Sequence, residues 1–95
     1  MAVHLGVLTI TLAFDESFSL KDKRQVLRSL LDRARRDIHA SIAETNYQNR
    51  IRSAEVSLAF IGTSKQTIEA ARFRAESLFD SEPSARVESF AWEWR

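Results

Sequence analysis

The chain has 95 residues, of which 44% are hydrophobic and 28% charged, with a formal net charge of +1. That length makes one domain, residues 1–95, and the composition is too apolar for a disordered segment. With no cysteine present, disulfides, thiol nucleophiles and cysteine-based zinc or iron–sulfur sites are excluded, and a reducing cytoplasm is the compartment that fits.

Residues 3–14 are β-branched and apolar and read as a strand in the middle of a sheet. Leu8, Ile10, Leu12 and Phe14 share one face, and Thr9, Thr11 and Ala13 the other. The run is too short to span a membrane and lacks the basic leader and cleavage site of a signal peptide. Residues 15–19 form a polar break. Ser19 is placed to cap a helix, with Asp22 three residues on in a weaker version of the capping box. Leu20, Val26, Leu27, Leu30, Leu31 and Ala34 then make one apolar stripe, so residues 20–36 read as an amphipathic helix.

Ile38, Ala40 and Ile42 alternate with polar neighbours, which predicts a half-buried strand over 38–45. Residues 46–52 are a polar connection. Val56, Leu58 and Phe60 alternate with Glu55, Ser57 and Ala59, giving a third strand that ends near Ile61 and Gly62. Thr63 or Ser64 can cap a second helix with Ile68, Ala71, Ala75, Leu78 and Phe79 on one face. Pro83 follows its end. Residues 86–94 form a last strand, with Phe90, Trp92 and Trp94 on one side. The order is strand, helix, strand, strand, helix, strand. Two split βαβ halves of this kind predict an α+β ferredoxin-like sandwich: a four-stranded antiparallel sheet with two helices on one face. The first and third strands are expected in the centre. The helix side is expected to collect Leu8, Ile10, Leu12, Ile42, Val56, Leu58, Phe60, Phe90 and Trp92.

Once the first helix and the hairpin are placed, a resemblance emerges. Ser19-Leu20-Lys21-Asp22-Lys23-Arg24 at a helix start resembles the signature of the YlxP-like family of small bacterial proteins of unknown function. Ser41-Ile42-Ala43-Glu44 followed by Tyr47-Gln48-Asn49 is similar to that family's second segment. Asn49 stands where the family usually has Asp, Ile51 where it has Trp, and Ser57 where it has Gly. The resemblance implies a ferredoxin-like fold, a cytoplasmic bacterial protein, and an RNA- or ribosome-linked role. It implies no activity and no cofactor.

Charge is unevenly spread: residues 21–36 hold seven of the fourteen Lys/Arg and two acids. On a helical wheel, Lys21, Arg24, Arg28 and Arg35 fall on one stripe about 60° wide. Bases at one-turn spacing can straddle phosphates, so the stripe predicts binding to RNA or a ribosomal surface. The alternative is a solvated helix face, in which case the domain is a protein-interaction or structural homodimer. The open sheet face carries no aromatic pair and bears Glu55, which argues against base stacking there, while its small residues suit close approach of a second copy. Lys23 lies inside the apolar arc of the helix, and Glu44 points toward the helices. The two are expected to meet at one end of the sheet as a partly buried ion pair, with Tyr47 and Gln48 nearby. A third reading makes this corner an enzyme site. His4 and His39 fall on non-adjacent strands, so no metal site is expected. No catalytic residue is assigned. Phe73, between Arg72 and Arg74, stands on the polar side of the second helix as a candidate contact anchor.

Overall fold

The computed structural model describes residues 2–95. Its elements are β1 (His4–Ala13), α1 (Leu20–Asp37), β2 (Ser41–Asn46), β3 (Ser53–Gly62), α2 (Lys65–Asp80) and β4 (Arg86–Trp94). The strands form one antiparallel sheet in the order β2-β3-β1-β4, so β1 and β3 are central. This is the ferredoxin-like arrangement that the alternation of apolar residues predicts.

Local chemistry sets the helix limits. The Ser19 hydroxyl accepts from the Asp22 N–H at 3.1 Å, and the Asp22 carboxylate accepts from the Phe18 N–H at 3.0 Å. The reciprocal bond thus reaches one residue further back than in a full capping box, and it fixes the chain entering α1. At the other end, the Ile38 N–H donates to the Ala34 carbonyl at 2.8 Å. Ile38 therefore closes the helix instead of joining a ladder, and β2 begins at Ser41 rather than at 38. Ser64, not Thr63, caps α2, accepting from the Thr67 N–H.

The core lies between the helices and the inner sheet face. β1 contributes Leu8, Ile10 and Leu12, and β3 contributes Ala54, Val56, Leu58 and Phe60. The helices bring Leu27, Leu30, Leu31 and Ala34 from α1 and Ile68, Ala71, Ala75 and Phe79 from α2. Burying each of the larger side chains stabilises the fold by about 1.5–3 kcal/mol before chain entropy is counted.

Two bulges alter the expected parity. On β4, Thr11 pairs with Ser89 and Leu12 with Val87, so Glu88 is the extra residue and Val87, not Glu88, turns toward the core. On β2, Glu44 pairs with Val56 and Asn46 with Glu55, leaving Thr45 as the extra residue. Phe90 departs from the expected core: it sits on the outer strand and stays 37% exposed.

Candidate functional site

The start of α1 and the β2–β3 hairpin meet at one end of the sheet, and Lys23 joins them. Its side chain is fully buried. The ammonium donates to the carbonyls of Tyr47 (3.0 Å), Gln48 (3.3 Å) and Ser53 (3.1 Å). Three protons meet three acceptors, which leaves no donor free for a substrate. Glu44 Oε2 stands 3.8 Å away, close enough for attraction but too far for a hydrogen bond. Burial pushes the Lys23 ammonium below the ordinary lysine range, the Glu44 carboxylate pulls it back up, and Arg24 adds a smaller downward push. Sequence spacing anticipated Lys23 beside Glu44. The backbone carbonyls, which make the shorter contacts, were not anticipated.

The bases of α1 divide by partner. Arg33 pairs with Glu82 at 3.1 Å, and Arg36 with its neighbour Asp37 at 3.1 Å. Arg35 reaches the edge of β2 and donates to the Ile42 carbonyl at 3.2 Å. Lys21, Arg24 and Arg28 are exposed on consecutive turns, and among the described residues none of them pairs with a carboxylate. Asp32, four residues beyond Arg28, makes no ion pair with it. The four-base stripe read from the helical wheel therefore becomes three free bases and one, Arg35, bound to the protein's own sheet.

The hairpin tip, which Lys23 ties to the start of α1, carries two further bases. The Arg50 guanidinium lies 4.4 Å from the Tyr47 ring centroid. Arg52 donates to the Ser17 carbonyl at 3.0 Å and sits 6.0 Å from the Phe18 ring centroid. Phe18 is 81% exposed. The sequence held a signal for this. Phe18 precedes the cap, where an apolar residue normally packs against the fourth helical position, and that position is Lys23. With a buried ammonium there, the ring has no apolar partner. Phe73 on α2 is also exposed, with the Arg72 guanidinium 5.8 Å from its ring centroid.

On the open sheet face, Leu5 lies directly opposite Ile61, and Thr9 opposite Ser57. Thr45 donates to Glu55 at 2.6 Å and shares a 2.8 Å hydrogen bond with Ser57. Among the described residues no group of three His, Asp or Glu is placed to hold a metal. No helix there is long and apolar enough to cross a membrane.

A family model for a protein of unknown function matches residues 5–92. The chain belongs to this family, DUF503. The match reaches into every element described above and stops short only of His4 in β1 and the last two residues of β4; it includes the Lys23 contacts and the basic turns of α1. The narrower resemblance to the YlxP-like proteins rests on the Ser19–Arg24 and Ser41–Asn49 motifs themselves. No curated protein matches this DUF503 chain. A solved Bacillus subtilis dinuclear metal-binding peptidase of the M20 family is similar at a TM-score of 0.47 and 15% identity, over 97% of this chain and 25% of that one. The DUF503 chain spans about a quarter of that protein's length, and a likeness at this level carries no argument.

Proposed function

We propose that this DUF503 protein is a non-enzymatic binding module that holds RNA, free or on the ribosome, against the N-terminal half of α1. The observation that supports this is the division of its bases. Arg33 and Arg36 are paired with carboxylates, and Arg35 with a carbonyl, while Lys21, Arg24 and Arg28 stand exposed on one face without a carboxylate partner. Three cations on successive turns suit a phosphate backbone, whose binding draws on the release of condensed counterions. Reversing two charges, Arg24→Glu with Arg28→Glu, should abolish binding to RNA or isolated ribosomes and leave the circular dichroism unchanged. For wild type, three phosphate contacts on a single strand predict a log–log salt slope of about −2. Binding that survives the double reversal overturns this reading.

A second reading, self-association through the open sheet face, has its own support. Ile61 is 73% exposed and Leu5, opposite it, 37%. Further along the same face Ala59, Thr9, Ser57 and Thr11 are small, which lets two sheets approach to about 10 Å. Sedimentation of wild type and Ile61→Glu tests it. A dimer that the variant disperses supports it, and a wild-type monomer at high concentration rejects it.

A further inference from the structure

Phe18 is the most exposed of the large apolar side chains among the described residues, at 81%, yet its backbone is fixed on both sides. Its own N–H donates to Asp22, and the preceding residue, Ser17, is buried and holds Arg52 through its carbonyl. The Ser17 N–H in turn donates to the Phe14 carbonyl at 3.2 Å. The backbone beneath the ring is thus anchored, so stacking costs the ring's own rotamer freedom but little ordering of the chain that carries it. Beside it lies a concave surface of about 520 Å³, running from Phe18 to the hairpin residues Asn49–Ser53, with Ile51 partly exposed in it. Its lining contains Arg50 and Arg52 and no carboxylate. On this open, shallow surface, one aromatic ring and two guanidiniums match an unstacked base with its phosphate.

We infer that Phe18 and the hairpin tip form a stacking slot for one unpaired base, so that the ligand of this surface is single-stranded rather than duplex RNA. The inference rests on the RNA reading above and specifies the ligand. Position supports it. Lys21, the second residue of α1, begins the free basic stripe, and Lys21 to Arg28 spans about 10 Å along the helix axis. A strand with one base splayed into the slot would lay its next phosphates along the stripe. Duplex RNA offers no free base to the slot.

The test uses the full chain with two probes, a mixed-sequence 12-nucleotide single strand and a 12-base-pair duplex, titrated by fluorescence anisotropy. Four proteins are compared: wild type, Phe18→Ala, Phe18→Trp, and the Arg24→Glu, Arg28→Glu double variant. Wild type should prefer the single strand. Phe18→Ala should weaken single-strand binding roughly 5- to 100-fold, the value of one stacked base, without changing the salt slope. It should leave duplex binding and the melting temperature unchanged. Phe18→Trp should retain affinity. If the double variant fails to bind while Phe18→Ala binds the single strand like wild type, the slot is overturned and the RNA reading survives. If wild type binds neither probe, both fall. If Phe18→Ala changes sedimentation and not RNA affinity, Phe18 is a protein contact and the slot is overturned.

Discussion

The Lys23 ammonium donates to the carbonyl of Tyr47, and Tyr47 is the one non-glycine residue with a positive φ, 63°, among the described residues. The left-handed conformation at Tyr47 turns the hairpin so that its carbonyls converge on the helix. Tyr47 gains little from its own side chain in adopting it, since only glycine, asparagine and aspartate enter that region readily. Its N–H receives some compensation from the Asn46 side-chain oxygen at 2.8 Å. Lys23 supplies the rest by satisfying Tyr47, Gln48 and Ser53 together.

Lys23→Met keeps much of the volume and removes the ammonium. It leaves three carbonyls without their donor and Glu44 without its counter-charge. Removing one partner of a buried charged cluster typically costs about 3–5 kcal/mol, a large share of the roughly 5–15 kcal/mol available to such a domain. Glu44→Gln removes the 3.8 Å contact but leaves the three carbonyl bonds in place, so it should cost clearly less than Lys23→Met. Urea denaturation of both variants checks the ranking. Equal costs would show that the carboxylate, not the carbonyl trio, holds the lysine.

The wheel position of Lys23 and the strand parity of Glu44 made their proximity legible, because both follow from fixed periodicities of side chains. The carbonyl trio was not legible. Backbone acceptors leave no mark on the pattern, and no glycine flags the left-handed turn at Tyr47. The same holds for the bulges: an extra residue at Glu88 or Thr45 changes which side chains face inward without altering composition. The basic stripe was legible as a stripe. That Arg33 finds Glu82 and Arg35 finds the Ile42 carbonyl depends on neighbours 49 and 7 residues away, which helical spacing alone does not supply.

Gly6 and Trp92 form a second dependent pair. A Cβ at Gly6 would fall within the van der Waals envelope of the Trp92 ring atoms. The indole lies across the glycine, packed against Phe60 with centroids 5.8 Å apart and the Arg72 guanidinium 4.7 Å from its centroid. Arg72 is itself held by Glu69 and Glu76, so the ring has little room to retreat. Gly6→Ala should destabilise by about 1–3 kcal/mol through overpacking. In a Trp92→Leu background the same substitution should cost less than half as much, since the clashing atoms are gone. Thermal melts of the four proteins complete the cycle. An additive result would mean that the glycine serves the backbone and not the indole.

Asp15 and Arg86 join the loop after β1 to the first residue of β4 through two bonds, Nε to Oδ2 at 3.0 Å and a terminal guanidinium nitrogen to Oδ1 at 3.3 Å. The hydrogen bond from Arg86 holds the Asp15 carboxyl below the ordinary aspartate value. Slight desolvation opposes it, and the charges of Arg86 and Arg52 reinforce it. A carboxyl whose folded value is depressed binds fewer protons in the folded state than in the unfolded one. Its contribution to stability is therefore present above the ordinary aspartate value and disappears as pH falls through the folded one. Both side chains are exposed, so the effect on neutral-pH melting should be small. The titration is the sharper readout. In Arg86→Gln the Asp15 carboxyl midpoint, followed by carbon NMR, should move up toward that of free aspartate. A midpoint that does not move would mean that the two side chains do not hold this geometry in solution, and that the link between the loop and β4 rests on the strand register alone.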